Sequence, residues 1–265
     1  MSSENAAPEN ITPELAAGET AIFSNTMTEN APSKSTDRAP DWALRRDWLK
    51  RQFPRRLPGH GALDVAGRFA VLRTRLLREM NRQGWRRLGV CPVTDGAGAT
   101  YVAANLALAA ARLPNSKVLL VDLALGDPAL NLQLNLPGDG RFLRYLQGED
   151  IDPASLGKPM RGEPNLHCVT IDGPTLGGPE LLQDQETRDR INDLIEATAC
   201  DLAIFDLSPV LRTDEGLAAL PIMDAVLLVA DGKTGNGREI ADCQRLLADM
   251  PPLLGVVLNK AELLE

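Results

Sequence analysis

Between Thr94 and Tyr101 the chain reads Thr-Asp-Gly-Ala-Gly-Ala-Thr-Tyr. This Gly-rich turn lies between an apolar run, Leu88–Val93, and an Ala-rich helical stretch, Tyr101–Arg112. Glycines at a strand-to-helix junction let the backbone come close to an anion. Successive amide N–H groups then point inward, and the helix N-terminus behind them adds positive potential. The chemistry such a loop performs is phosphate binding. A Gly-Ala-Gly by itself is a weak signal, and the strand before and helix after it give it weight. Two acids, Asp122 and Asp206, each close an apolar run. Taken alone, they read more readily as strand-end carboxylates with no ligand.

The elements that must position these residues alternate in type. The strand candidates are Leu88–Val93, Lys117–Asp122, Leu166–Ile171, Leu202–Asp206, Ala225–Ala230 and Leu254–Leu258. Several are unbroken runs of Leu, Val and Ile, the pattern of strands buried on both faces of a parallel sheet. Helical stretches at Tyr101–Arg112, Pro179–Thr198 and Arg238–Asp249 separate them. Before them, Val65, Phe69, Leu72, Leu76 and Met80 recur at helical spacing and predict an amphipathic helix over Leu63–Met80. The rhythm is that of a doubly wound, mostly parallel α/β domain.

Composition narrows the function classes. The formal net charge of -8 argues against a general nucleic-acid binder, which neutralises phosphates with clustered Lys and Arg. Only 4% of residues are aromatic, so the core must rest on Ala, Leu, Val and Ile. Cys91, Cys168, Cys200 and Cys243 lie far apart without a C-x-x-C pair, and read as small buried residues in a reducing compartment. No apolar run approaches the roughly 18 residues of a membrane span, and the first residues lack the basic start and apolar stretch of a signal peptide. The expectation is a cytoplasmic protein.

Residues 1–40 are rich in Ser, Thr, Asn, Pro, Ala and Glu, and read as a disordered, mildly acidic tail. Residues 41–62 change character: Arg45, Arg46, Lys50, Arg51, Arg55 and Arg56 are interleaved with Trp42, Trp48 and Phe53. Two readings stay open here, a solvated helix on one edge of the core or a docking segment, 42–56, for an anionic membrane surface or acidic partner. Residues 63–265 form the folded domain. Gly232-Lys233-Thr234 follows a strand but lacks the glycine spacing of a second phosphate site, and reads as a loop. His167 sits inside a strand candidate and reads as a packed residue.

The stretch Gly-Ala-Gly-Ala-Thr-Tyr-Val-Ala-Ala-Asn-Leu-Ala from Gly96, with Leu119–Pro128, Ile204–Pro209 and Leu258–Lys260, resembles the P-loop domain of bacterial capsule and exopolysaccharide tyrosine kinases. That family is related to the MinD and ParA ATPases. The resemblance runs from about Phe69 to Lys260 and implies a P-loop NTPase-like fold. It implies an ATP site formed by Gly96, Ala97, Gly98, Ala99, Thr100, Tyr101 and Asn259, the last standing where the family contacts adenine. It also implies Mg²⁺ held by Thr100 and Asp206, with Asp122 and Asp206 as catalytic acids if the protein is active. The partner it implies is a membrane polysaccharide co-polymerase or an active homologous kinase.

Departures from the family pattern shape the functional expectation. Ala99 stands where the family has its P-loop lysine, a point charge on the β- and γ-phosphates. Tyr101 replaces a small residue beside the α-phosphate, so crowding is expected. The second motif keeps Asp122 but has Ala124 and Gly126 where the family has Asp and Arg. In the third motif, Ala203-Ile204-Phe205-Asp206-Leu207-Ser208-Pro209 is complete. Of the family's E-x-x-R-x-x-R ring-assembly residues, the positions Gly67, Ala70 and Arg73 keep only the last. The sequence has two tyrosines, Tyr101 and Tyr145, and ends Ala261-Glu262-Leu263-Leu264-Glu265, without the family's tyrosine cluster. The expected function is a non-catalytic regulatory protein in exopolysaccharide or capsule production, cytoplasmic or peripheral at the inner membrane face, with ATP and Mg²⁺ bound weakly or not at all. A weakly active kinase or ATPase and a MinD- or ParA-like surface-positioning protein are the alternatives. The MinD and ParA signature lysine is Thr94 here.

Overall fold

The computed structural model describes residues 21–22, 65–136, 138, 140–248 and 250–261. The basic Trp-bearing segment and its docking reading lie outside them, as does all of the N-terminal tail except Ala21–Ile22. That pair forms a short strand, β1, at an edge of the sheet, where the tail reading expected no structure.

The amphipathic helix, α1 (Val65–Gln83), buries Phe69, Leu72, Leu76 and Met80, the stripe its spacing predicts. It leads into β2 (Arg87–Pro92), the Gly-rich loop and α2 (Ala99–Ala111). β3 (Val118–Asp122) follows, then two short helices, α3 (Leu130–Leu134) and α4 (Arg141–Leu146), which the sequence reading did not anticipate. A hairpin, β4 (Lys158–Met160) and β5 (Glu163–Val169), precedes α5 (Gly178–Gln183) and α6 (Gln185–Thr198). The remaining elements are β6 (Leu202–Asp206), α7 (Asp214–Ala219), β7 (Ala225–Asp231), α8 (Gly237–Leu246) and β8 (Leu253–Asn259).

The single helix expected over Pro179–Thr198 is two. Asp184 adopts extended backbone (φ -66°, ψ 135°), and its side chain accepts from the Thr187 N–H, so it starts a new helix. α8 likewise begins where a capping box places it, with Asn236 and Glu239 exchanging side-chain and backbone hydrogen bonds.

The eight strands lie in the order β1-β8-β7-β2-β6-β3-β5-β4, all parallel except the β4–β5 hairpin. Alternate residues feed two cores. Val118 and Leu120 of β3 and Ile204 of β6 face α1 and α2, while Leu119, Val121 and Phe205 face α5, α6 and α7. This double burial explains the unbroken apolar runs. α2 is buried nearly all round, with Ala103, Ala104, Ala107 and Ala110 among its enclosed residues. Alanines on all sides let it lie close to both the sheet and α1, which is how a chain poor in aromatics fills this layer. The Arg73 guanidinium donates to the Ala109 carbonyl at 3.0 Å, in the last turn of α2. The one ring-motif residue kept in this sequence is thus turned inward onto its own fold.

Chain direction through the sheet reverses around β2. Its successor β3 lies to one side beyond β6, and β7 lies to the other. Open α/β sheets bind ligands at such a switch point, beyond the carboxyl ends of the strands. The Gly-rich loop sits there. α7 is held against the loop leaving β6 at a point with no spare space. A Cβ added at Gly216 would lie 2.6 Å from the Ser208 carbonyl oxygen and 3.1 Å from the Pro209 carbonyl carbon. Backbone cannot move aside as a flexible side chain can, so Gly216→Ala is expected to lower stability by about 1–3 kcal/mol, read from the urea midpoint. An unchanged midpoint would show that this loop is not held against α7.

Candidate functional site

The loop is built as its residues dictate. Gly96 (φ 72°) and Gly98 (φ 87°) both occupy the left-handed region that side chains disfavour. Gly98 also has no room for a side chain, because a Cβ there would lie 2.3 Å from the Asn259 amide nitrogen. The Ala97 N–H closes a turn onto the Thr94 carbonyl at 3.2 Å, and the Val102 N–H donates to the Gly98 carbonyl at 3.1 Å. No side chain caps α2, so its first-turn amides face the loop.

Contacts from the end of the last strand hold this loop. Asn259, at the end of β8, donates its amide to the Ala97 carbonyl at 2.9 Å. The next residue, Lys260, donates its ammonium to the Gly96 carbonyl at 2.7 Å and pairs with Asp231 Oδ2 at 3.2 Å. A peptide's carbonyl and the following N–H point in opposite directions. With the Ala97 carbonyl fixed toward β8, the Gly98 N–H faces away from that strand. Asp231 is itself anchored, its Oδ1 accepting from the Lys233 and Thr234 N–H groups. Burial opposes its charge, yet those two amides and the Lys260 ammonium together bring its carboxyl below the ordinary range. Gly232-Lys233-Thr234 is therefore the loop its spacing predicts, turned around an aspartate.

Asp122 and Asp206 end β3 and β6 directly opposite each other in register. Both are buried. Asp122 Oδ1 accepts from the Ala124 N–H and Oδ2 from the Leu130 N–H, each at 3.2 Å, so both its oxygens are engaged within the chain. The nearby Thr100 hydroxyl favours the charged form of Asp206, while Asp206 Oδ2 is enclosed without any hydrogen-bond partner in the chain. Burial raises the Asp122 carboxyl well above its ordinary range, and the neighbouring Asp206 raises it further. Burial likewise pushes Asp206 up to about 7, against the opposing effect of Thr100. A third carboxylate, Glu215 at the start of α7, accepts from the Ser208 hydroxyl and, at 2.9 Å, from the Gly126 N–H. Burial raises it too.

Of the residues implicated from sequence, the fold brings Gly96 to Thr100, Asp122, Asp206 and Asn259 to one end of the sheet. Two are placed differently from expectation. The Tyr101 ring is buried edge-on against Phe69 of α1, centroids 6.0 Å apart, so it does not crowd the loop and offers it only a backbone N–H. Asn259 is committed to the loop's own backbone. Glu215, Asp231 and Lys260 were missed. Glu215 gave only a helix-start signal, Thr213-Asp214-Glu215-Gly216, and the role of Lys260 depends on a loop 164 positions earlier in the chain.

No protein-family model matches the chain, and no curated protein does. Solved structures do. The chimerical protein CapA2B2 is 20% identical, with 83% of this chain and 93% of that one covered and a TM-score of 0.69. The kinase domain of Escherichia coli tyrosine kinase ETK is 22% identical, covering 81% and 87%, with a TM-score of 0.67. The chain shares a P-loop NTPase-like fold with these two structures, the second of them a kinase domain. At this identity the likeness shows the kinase-domain fold alone. More distantly, cobyrinic acid a,c-diamide synthase from Mycobacterium smegmatis, with bound ATP analog and magnesium, superposes at a TM-score of 0.51. It is 20% identical over 66% of this chain and 74% of that one.

Within the kinase-domain fold, the residues present fit a divalent cation at one point. The unpartnered Asp206 Oδ2 beside the Thr100 hydroxyl is an oxygen pair of the kind Mg²⁺ takes. The cation would supply charge neutralisation to a phosphate. The carboxyl that awaits it also has a measurable consequence. With its folded value near 7 against an ordinary 3.8, Asp206 holds a proton more tightly folded than unfolded, so its contribution to stability falls as pH rises from about 4 to 7. Asp206→Asn removes that titration. The variant is expected to be more stable than wild type at pH 8, by up to a few kcal/mol, with the difference shrinking toward pH 5. A difference that stays constant across this range would contradict the raised carboxyl.

Proposed function

We propose that this protein is a non-catalytic regulatory protein of exopolysaccharide or capsule production, a tyrosine-kinase fold acting as cytoplasmic partner of a membrane polysaccharide co-polymerase or of an active homologue. The observation that carries the reading is the electrostatics of the site. Asp122, Asp206 and Glu215 are buried together at the strand ends, and Ala99 and Gly126 stand where the resembling family has a lysine and an arginine. A transferring phosphoryl group needs positive charge over its oxygens. Here the three buried acids at the strand ends are carboxyls that burial keeps in the protonated direction.

Both the process and the partner come from the resemblance to capsule and exopolysaccharide kinases. The similarity to CapA2B2, a chimerical protein, agrees with a fold that works joined to a second component. Among the described residues no helix is long and apolar enough to cross a membrane.

A second reading has one observation in its favour. Thr100 and the unpartnered Asp206 Oδ2 are the pair to which the resemblance assigns a cation, which suits a weak ATPase or kinase acting on other proteins. Calorimetric titration with ATP and Mg²⁺, run beside Ala99→Lys, separates the two. The variant is expected to bind at least about tenfold more tightly than wild type, as one restored charge-assisted contact implies. Wild type binding in the micromolar range, as tightly as the variant, would overturn the non-catalytic reading.

A further inference from the structure

The loop has no basic residue of its own, yet an ammonium touches it. Lys260 Nζ lies 2.7 Å from the Gly96 carbonyl and 3.2 Å from Asp231 Oδ2. Three features place it there. β8 delivers its backbone to the rim of the loop, and Asn259, one residue before, is bonded to the adjacent carbonyl of Ala97. The Lys260 backbone adopts φ 58°, a left-handed conformation that a side-chain-bearing residue takes at some cost. Asp231, fixed by two loop amides, holds the ammonium from the other side.

We propose that Lys260 is the cation of this phosphate loop: it supplies from the end of β8 the positive charge that position 99 does not, and the ligand it serves is a nucleoside di- or triphosphate. An ammonium has three N–H donors, and the two bonds it makes leave one over. Its side chain is about a third exposed (36%), so that donor is accessible to a ligand entering the loop. The site also contains a buried acceptor awaiting a counter-charge, Asp206 Oδ2 beside Thr100, as a bound metal–phosphate group would provide. Lys260 acts at the loop's rim, where it both orients the Gly96 peptide and adds charge. It would retain an anion without reproducing the contact that a lysine at position 99 makes with the transferring phosphate. The inference rests on reading Thr94–Tyr101 as a phosphate loop, and it holds whether or not the loop turns ATP over.

The test is equilibrium binding of ATP with Mg²⁺, up to millimolar nucleotide, to wild type, Lys260→Arg, Lys260→Gln and the double variant Ala99→Lys/Lys260→Gln. Lys260→Gln keeps a donor for the Gly96 carbonyl and removes the charge, and unliganded far-UV circular dichroism confirms that it folds. The expected result is a loss of about tenfold or more in Lys260→Gln, the size of one charge-assisted hydrogen bond. Lys260→Arg should stay within a few-fold of wild type, and the double variant should recover binding. Binding unchanged in Lys260→Gln, or a double variant that fails to recover, would overturn the proposal and leave Lys260 a loop clamp. Wild type that binds no nucleotide also overturns it, while leaving the non-catalytic reading intact. Measurable phosphate release would instead defeat that reading and leave the Lys260 result to stand on its own.

Discussion

Two carboxylates buried face to face set the terms for the rest of this site. Asp122 and Asp206 terminate adjacent strands in register, so the sheet that builds the domain also forces their side chains together. Burying one such charge is expensive, and burying two without a cation between them more so. The molecule meets this in different ways at the two positions. Asp122 is satisfied by the amides of Ala124 and Leu130, which fold the chain after β3 back over it. Asp206 lies by Thr100, which favours its charged form, and keeps Oδ2 unpaired. The first acid has become part of the architecture, and the second is still available to a ligand. Among the described residues Asp206 Oδ2 is one of four enclosed side-chain polar atoms without a partner, and the only carboxylate oxygen of the four.

The same division between retained form and altered charge runs through the loop. Its shape needs no ligand, because Asn259 and Lys260 pin two of its carbonyls from the end of β8. Glu215 does comparable work on the other side, tying the turns after β3 and β6 to the start of α7. Space near its carboxylate is tight: a Cβ at Gly178 would come within 2.6 Å of it. A scaffold braced in this way keeps its shape without a ligand, since its packing lies in the two cores.

Much of this architecture was legible in the sequence, and the parts that were not share a physical cause. Unbroken runs such as Leu202–Asp206 and Ala225–Ala230 announce strands buried on both faces, and the Phe69–Met80 stripe announces α1 because its burial repeats with the helical period. β4 is three residues, Lys158-Pro159-Met160, with too few positions to show a period. Asp184 interrupts a helical pattern through its own side-chain bond, a local event within an otherwise continuous apolar stripe. At the site, Thr94–Thr100 and Asp206 carry local signatures. Lys260 and Glu215 acquire their roles from residues far away in the chain, and Tyr101 turned toward Phe69 because a large ring gains more in the α1–α2 contact than at the loop.

The account stands most directly on whether the assembled site performs phosphoryl transfer. The decisive measurement is the release of labelled phosphate from ATP, and its transfer to protein tyrosines, by purified protein with Mg²⁺, beside Asp206→Asn. The account predicts that wild type and Asp206→Asn are indistinguishable from the background without protein. Turnover by wild type that Asp206→Asn abolishes would contradict it, and would make this chain an enzyme working without a lysine in its phosphate loop.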